Sequence, residues 1–88
     1  MYYTYVLKSM IDNKYYVGST GDLRKRLAEH NSGKVNSTRS RRPLELVYYE
    51  ACVIRENAIR REHYLKTGFG RRYLKGRIEE NGGRSSTG

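Results

Sequence analysis

The apolar and aromatic positions of the chain fall into short runs separated by polar segments, and the first two runs have the composition of β-strands. Residues 1 to 8 (MYYTYVLK) and 14 to 19 (KYYVGS) concentrate tyrosine and β-branched residues, which favour extended structure. The turn-forming pair Asp12-Asn13 lies between them. This pattern predicts a β-hairpin.

A helix is predicted directly after the hairpin, from about residue 23 to residue 31. Two leucines spaced four residues apart form its apolar stripe, and Asp22 precedes it as a suitable N-cap. Arg26 and His30 are also four residues apart and therefore share one side of the helix. Because they border the leucine stripe, we expect both side chains to face the hairpin across the rim of the core.

The second half of the chain predicts a third strand and two more helices. Pro43 leads into the apolar run LELVYYEACV, which has the composition of a strand. Residues 54 to 66 predict a helix that Gly68 and Gly70 end, and a last short helix is predicted from about 71 to 80. This order of elements indicates an α+β fold with a small, mostly antiparallel sheet covered by helices.

Length and composition limit the class of protein. The 88 residues allow one domain, which we assign to residues 1–80, and the segment 81–88 is expected to be a disordered tail. The chain has neither an apolar run near the roughly 20 residues of a membrane span nor an apolar signal segment, so we expect a cytoplasmic protein. Cys52 has no disulfide partner, and with His30 and His63 it makes too small a set for structural zinc. Any metal would therefore be bound through oxygen.

The charge of the chain indicates a polyanionic partner. Eighteen lysines and arginines against nine acids give a net charge of +9, and the isoelectric point is about 9.9. The bases cluster in residues 24–42 and 55–77, which favours nucleic acid over a merely solvated surface, although a solvated surface remains the alternative. Association with the nucleoid would agree with this charge. The predicted phosphate contacts are Lys25, Lys34, Arg39, Arg41, Arg42 and Lys66.

Two tyrosines of the hairpin, Tyr5 and Tyr16, lie eleven residues apart in the similar tripeptides TYV and YVG. They share a face of the sheet if the numbers of opposed residues sum to an odd value such as 21 or 23, and they lie on opposite faces if the sum is even. The sequence leaves both registers open.

Glu62 lies in an unusual position on the predicted helix 54–66. On a helical wheel it falls inside the apolar arc, which is formed by Ile54, Ala58, Ile59 and Leu65. A buried carboxylate needs a partner. This partner is either a metal ion or a cation of the protein, for which the candidates are Arg26, Arg55 and Lys66.

These residues together suit phosphodiester hydrolysis, which needs a base, positive charge on the phosphoryl oxygens and stabilisation of the leaving oxygen. Arg26 can contact the phosphate as a cation with forked donors. His30 can exchange protons near neutral pH or hydrogen-bond a phosphate. Glu62, with water and phosphate oxygens, can bind Mg²⁺, which uses few protein ligands. A tyrosine is a poor base unless nearby cations lower its pKa.

The motifs TYV and YVG, followed by Arg26, His30 and Glu62 in this order, resemble the GIY-YIG nuclease superfamily. More narrowly, the chain resembles small stand-alone bacterial proteins that are similar to the endonuclease domain of the excision-repair incision subunit. Segments such as YYVGSTGDLRKRLAEHNSG and AIRREHYLKTGFGRRYLK carry the resemblance beyond the catalytic positions. The resemblance covers residues 1–79.

The resemblance implies a three-stranded antiparallel sheet flanked by helices and a DNA endonuclease or nickase that leaves 5′-phosphate and 3′-hydroxyl ends. It implies one divalent ion, Mg²⁺ or Mn²⁺, held by Glu62. Tyr16 is then the favoured base, Tyr5 supports it, Arg26 stabilises the phosphate and His30 assists. A role in DNA repair or recombination, branched or flapped DNA as substrate and a separate targeting protein are further expectations.

Two positions depart from the family pattern. Thr4 replaces the glycine of the first motif, and the late asparagine of several family members has only Asn81 as a counterpart, which we leave unassigned. The alternative function is a non-catalytic basic module whose tyrosines stack on bases and whose arginines bind phosphate. A basic component of a ribonucleoprotein would explain the charge but not Glu62.

Overall fold

The computed structural model of the chain describes residues 1 to 80. The predicted tail 81–88 and Asn81 lie outside this range. Three strands and three helices follow one another in the order β1 (Tyr2–Ser9), β2 (Tyr15–Thr20), α1 (Leu23–Asn31), β3 (Leu44–Cys52), α2 (Arg55–Leu65) and α3 (Gly68–Lys75). A short 3₁₀ helix, Arg39–Arg41, precedes β3, and one π-helical segment, Gly76–Glu80, continues α3. The α+β prediction is confirmed.

The three strands form one antiparallel sheet in the order β2-β1-β3. In the hairpin Tyr5 is opposite Gly18 and Leu7 is opposite Tyr16, so the residue numbers of each pair sum to 23. This odd sum is one of the two registers that the sequence left open. Tyr5 and Tyr16 therefore lie diagonally opposite each other on the same face.

Each face of the sheet has its own hydrophobic cluster. On one face Val6 and Val17 pack with Leu65 of α2 and Leu74 of α3. On the other face Tyr5, Leu7 and Leu44 pack with Tyr16 and with the leucines of α1. The two tyrosines of the motif thus belong to the face that α1 covers, which brings them within reach of Arg26 and His30.

The predicted boundaries hold for the first helix and are wrong for the last. Asp22 caps α1 as predicted, with its carboxylate accepting from the backbone N–H of Lys25 at 3.1 Å. By contrast α3 begins at Gly68 rather than at 71, because the Thr67 hydroxyl caps it by accepting from Gly70 N at 3.2 Å. Gly70 is needed there for packing, since a Cβ would lie 2.2 Å from the carbonyl oxygen of Tyr64.

Helix α2 is held against the sheet by a buried hydrogen bond. The Thr4 hydroxyl donates to the carbonyl oxygen of Ala58 at 2.9 Å, so the residue that replaces the glycine of the motif joins β1 to α2. Ile54, which was predicted to lie in the apolar arc of this helix, instead occupies the N-cap position and is 53% exposed. Ala58 and Leu65 are buried as predicted.

Candidate active site

Tyr5 lies in the interior, with only 1% of its surface exposed, and its ring crosses over the opposed residue Gly18. A Cβ on Gly18 would lie 2.6 Å from the Tyr5 hydroxyl oxygen and 2.7 Å from Cζ. Such distances are far below van der Waals contact, so only glycine leaves room for this ring position. The glycine of the second motif therefore shapes the site by fixing where the Tyr5 hydroxyl lies.

A chain of two short hydrogen bonds runs inward from Tyr5. Its hydroxyl is 2.9 Å from Nε2 of His30, and Nδ1 of His30 is 2.7 Å from the hydroxyl oxygen of Thr38. All three residues are buried. Both ring nitrogens of His30 are thus engaged within the protein, and the suggestion that His30 hydrogen-bonds a phosphate directly does not fit this arrangement.

Two groups of this hydrogen-bond chain, the Tyr5 phenol and the His30 imidazole, are both neutral near pH 7. Burial raises the pKa of Tyr5 to about 12, although interaction with the Arg26 guanidinium opposes part of that shift. Burial also lowers the pKa of His30, and the positive charge of Arg26 adds to that effect while Glu29 opposes it. Tyr5 is therefore a protonated phenol and His30 an uncharged imidazole at neutral pH.

Arg26 lies beside the two tyrosines, as its position on α1 predicted. Its guanidinium interacts with the Tyr5 hydroxyl, and it donates to Glu29 at 3.1 Å. The interaction with Tyr5 is the largest of the effects that raise the pKa of Arg26. About a third of its side chain, 36%, stays exposed, so a permanently charged donor faces the solvent side of the site.

Tyr16 is the more accessible of the two motif tyrosines. Its ring is half-buried, with its centroid 5.0 Å from that of His30 and 6.4 Å from that of Tyr5. Within residues 1–80 its hydroxyl makes no hydrogen bond to the protein. The structure thus brings Tyr5, Tyr16, Arg26 and His30 together in one place, whereas the sequence left the shared face of the two tyrosines open.

Glu62 reaches the same edge of the sheet from α2. Its Oε1 accepts from the Ser19 hydroxyl at 2.7 Å, and its Oε2 accepts from Nζ of Lys66 at 2.8 Å. Burial raises the pKa of Glu62, but the hydrogen bonds from Lys66 and Ser19 lower it by a larger amount. The pKa of Glu62 is therefore below its ordinary value, and the carboxyl group is ionised near pH 7. Of the three cations considered from the sequence, Lys66 is the partner observed.

The carboxylate of Glu62 suits a hard cation that brings most of its own ligands. Its side chain is 18% exposed, and a carboxylate has about four acceptor positions, of which Ser19 and Lys66 take two. Among the described residues there is no group of three or more His, Cys, Asp or Glu side chains that could hold a metal. A single carboxylate fits Mg²⁺, which commonly keeps several waters and uses substrate oxygens.

A wide cleft of about 880 Å³ borders Tyr16 on the side of α3. Tyr15, Tyr16 and Lys66 lie along it, and Glu79 is its one acidic residue. Its remaining bases are Lys14, Arg41, Arg71 and Lys75. A smaller cleft of about 390 Å³, lined by Ser19, Lys25 and Arg26, lies on the side of α1. The wide cleft therefore carries an excess of positive charge, whereas Asp22 and Glu29 balance the two bases of the smaller cleft.

The residues predicted to contact phosphate have different surroundings. Lys25 and Lys34 are exposed, and Lys66 pairs with Glu62. Arg39 donates to Asn36 and to the Gly33 carbonyl, Arg42 donates to the Arg39 carbonyl, and Arg41 reaches Asp12 at 3.4 Å. Arg39 and Arg42 thus hold the loop between α1 and β3 together, and Arg41 connects that loop to the turn between β1 and β2.

Sequence reasoning missed four contributors to the site. Thr38 stands in a polar loop with no periodic pattern, and Ser19 follows the second motif without a signal of its own. Arg71 and Lys75 were counted in the second basic cluster but not chosen, although their spacing of four residues would have placed them on one side of a helix.

Comparison with known proteins supports the resemblance seen in the motifs. A family model described as the GIY-YIG catalytic domain matches residues 1–75. A UPF0213 protein of Bacillus pumilus is 48% identical over 67 residues, which cover 75% of this chain and 67% of that protein. The UPF0213 protein SH2523 of Staphylococcus haemolyticus is 41% identical over 80 residues, which cover 90% of this chain and 95% of the relative.

The fold also has a counterpart among solved structures. The solution NMR structure of the UPF0213 protein BH0048 from Bacillus halodurans matches with a TM-score of 0.52 and 35% identity, and the match covers 84% of this chain and 82% of that one. In residues 1–80, no helix has the length and apolar character that crossing a membrane requires.

Proposed function

Because the chain belongs to the GIY-YIG family of nucleases, we propose that it is a divalent-metal-dependent DNA endonuclease or nickase that leaves 5′-phosphate and 3′-hydroxyl ends. The observation that carries the proposal is the convergence of two phenols, an imidazole and a guanidinium on the face that α1 covers, with the ionised carboxylate of Glu62 bound to Ser19 on the same edge strand β2. The ring centroid of Tyr16 is 5.0 Å from that of His30, and Nε2 of His30 is 2.9 Å from the Tyr5 hydroxyl.

The proposed roles follow from accessibility and charge. Tyr16 is the half-buried phenol that water and substrate can reach, so it is the group that takes or relays the proton of the attacking water. Tyr5, whose pKa burial raises to about 12, stays protonated and acts as a hydrogen-bond donor. Arg26 binds the phosphoryl oxygens as a fixed cation, and His30 acts through Tyr5 because both of its nitrogens are engaged.

Glu62 is the proposed metal ligand. One Mg²⁺ or Mn²⁺ ion held there would stabilise negative charge on the phosphoryl group. Lys66 shares this carboxylate in the structure, so the same residue that was expected to contact phosphate also neutralises Glu62 before a cation binds.

The substrate class rests on charge complementarity. The wide cleft beside Tyr16 has five bases and one acid, which suits a phosphate backbone. We further propose a role in DNA repair or recombination and an association with the nucleoid. A small domain of this kind can also be recruited to its substrate by a targeting protein. Branched and flapped DNA are the substrates of first interest, since 88 residues leave little room for a separate specificity domain beside the nuclease domain.

Incubation of the purified chain with supercoiled, flapped and branched DNA in Mg²⁺ tests the proposal, with mass analysis of the ends. The expected result is cleavage that EDTA abolishes and that leaves 5′-phosphate and 3′-hydroxyl ends. The Tyr16→Phe variant should lose most of this activity, while Tyr49→Phe on an exposed position of β3 should keep it. Equal activity of the two variants would refute the role of Tyr16.

A non-catalytic nucleic-acid-binding module is the second candidate, because the Glu62–Lys66 ion pair already satisfies the carboxylate without metal. This function predicts salt-sensitive DNA binding that needs no Mg²⁺ and survives Glu62→Gln. The cleavage assay distinguishes the two, since a binding module leaves every substrate intact.

A further inference from the structure

Thr38 is the buried end of the hydrogen-bond chain that passes through His30 to Tyr5. It is fully buried, and its hydroxyl is 2.7 Å from Nδ1 of His30. The backbone around it is also fixed: Thr38 N donates to the Val35 carbonyl at 3.2 Å, and the Thr38 carbonyl accepts from Arg41 N at 2.9 Å. The loop between α1 and β3 therefore holds this hydroxyl rigidly against the imidazole.

The chain can be protonated in two ways, because a neutral imidazole carries one N–H. In the first arrangement Thr38 donates to Nδ1, and Nε2–H donates to the oxygen of Tyr5. In the second, Tyr5 donates to Nε2, and Nδ1–H donates to the oxygen of Thr38. Each arrangement leaves one hydroxyl proton without an acceptor in the chain, the proton of Tyr5 in the first and that of Thr38 in the second.

The surroundings of the two ends decide between these arrangements. Within the described residues the Thr38 hydroxyl forms its one hydrogen bond with His30, and no solvent reaches Thr38. A hydroxyl proton left unpaired there is unfavourable, because neither water nor the protein compensates for its desolvation. Tyr5 itself is only 1% exposed, but its hydroxyl lies beside Gly18 and next to the part-exposed side chains of Tyr16 and Arg26. A water or phosphate oxygen bound by these two side chains is the acceptor for the Tyr5 proton. The first arrangement therefore places the free proton at the end where an acceptor can bind.

We propose that Thr38 is a positioning residue that donates to Nδ1 of His30, holds the imidazole as its Nε2–H tautomer and thereby turns the proton of the Tyr5 hydroxyl toward the substrate side of the site. This role rests on the proposed nuclease function only where it concerns cleavage. The lowered pKa of His30 agrees with it, since an uncharged imidazole near pH 7 must choose one tautomer.

The tautomer can be measured without any substrate. Long-range ¹H–¹⁵N correlation spectra of the intact chain at pH 7.5 identify the protonated nitrogen of His30, because Nε2 correlates with both carbon-bound ring protons and Nδ1 mainly with one. We expect the protonated nitrogen to be Nε2. A protonated Nδ1, or protonation of both nitrogens, would overturn the proposal even if no variant were made.

Two substitutions separate the effect of the Thr38 hydroxyl from the effect of the volume of its side chain. Thr38→Ser keeps the donor and should keep the wild-type tautomer, whereas Thr38→Val keeps the shape and should give a mixture of both tautomers. Thermal unfolding of each variant identifies any loss of fold. If folded Thr38→Val retains only the Nε2–H form, the hydroxyl does not set the tautomer and the proposal fails.

The rate of DNA cleavage is a second and independent measure of the role of Thr38. Thr38→Val should reduce kcat about ten- to a hundredfold, the range that removing a partner of an oriented histidine costs in metal sites, while Thr38→Ser should stay close to wild type. Unchanged cleavage by folded Thr38→Val would contradict the positioning role. If the wild-type chain cuts no DNA, the nuclease proposal fails, and the spectra still decide the tautomer independently.

Discussion

Replacement of Gly18 by alanine tests the geometry of the site most strictly. The new methyl group would lie 2.6 Å from the hydroxyl oxygen, 2.7 Å from Cζ and 3.1 Å from Cε1 of Tyr5. The Tyr5 ring is buried, and its hydroxyl is hydrogen-bonded to Nε2 of His30 at 2.9 Å, so the ring has little freedom to move aside. We expect the Tyr5 ring and strand β2 to separate, which strains both the packing and the hydrogen bond.

The magnitude follows from three contributions. Overpacking of a core typically costs about 1–3 kcal/mol, and loss of the buried hydrogen bond between Tyr5 and His30 adds about 0.5–1.5 kcal/mol. Alanine in a strand recovers about 0.5–1 kcal/mol relative to glycine. The free energy of unfolding should therefore fall by about 0.5–4 kcal/mol, with a central value of about 2 kcal/mol, a large part of the roughly 5–15 kcal/mol of a typical domain.

Urea titration followed by circular dichroism measures this change, with Gly68→Ala as the matched control. No atom lies within 4 Å of a Cβ at Gly68, in the first turn of α3, so that variant should be neutral or more stable by up to about 1 kcal/mol. Because the closest atom to the methyl group is the Tyr5 hydroxyl, Gly18→Ala should cost less in a Tyr5→Phe background. A Gly18→Ala variant as stable as wild type would refute the packing account.

Three further predictions follow from the fold and the charges. Gly70→Ala should destabilise the chain by more than Gly18→Ala, since its Cβ would lie 2.2 Å from a backbone carbonyl that cannot rotate away; equal urea midpoints for Gly70→Ala and wild type would contradict this. Because burial lowers the pKa of His30 in the folded state, its contribution to stability is complete above about pH 6.5, the unfolded value, and is lost as the pH falls through the folded value; urea midpoints that rise between pH 7 and pH 5 would contradict the burial. Replacing Arg71 and Lys75 of the wide cleft by alanine should reduce the slope of log K against log salt for binding of duplex DNA by up to about 1.8. The control is Arg24→Ala, which lies outside this cleft. If only Arg24→Ala reduces the slope, the DNA binds to another face of the protein.

Features that depend on neighbouring residues were predictable from the sequence. The hairpin, the Asp22 cap and the shared side of Arg26 and His30 follow from composition and helical spacing, and the structure has all three. The register of the hairpin was reduced to two choices, because residue parity alone decides which face a side chain takes. These local rules placed Arg26 and His30 on one side of α1, and the register seen in the structure then adds both tyrosines to the site.

Features that depend on long-range packing were not predictable in the same way. Thr38 meets His30 only because the loop after α1 folds back into the core, and no periodicity marks such a residue. Gly70 looks like a helix breaker in the sequence, yet it lies inside α3 because two helices approach closely there. From the sequence, the candidate partners of Glu62 are a metal ion and three basic side chains. Only the structure identifies Lys66 as the side chain that pairs with it.

The proposed metal-dependent cleavage requires Glu62, so the decisive measurement compares nicking of supercoiled DNA in Mg²⁺ by Glu62→Gln and by Glu56→Gln. Both glutamates lie on α2, but Glu56 is exposed in its first turn, away from Ser19 and Lys66. We predict that Glu56→Gln nicks like wild type and that Glu62→Gln is slower by on the order of a hundredfold, since a bound metal stabilises transition-state charge by several kcal/mol. Equal nicking rates for Glu62→Gln and wild type would contradict the central claim.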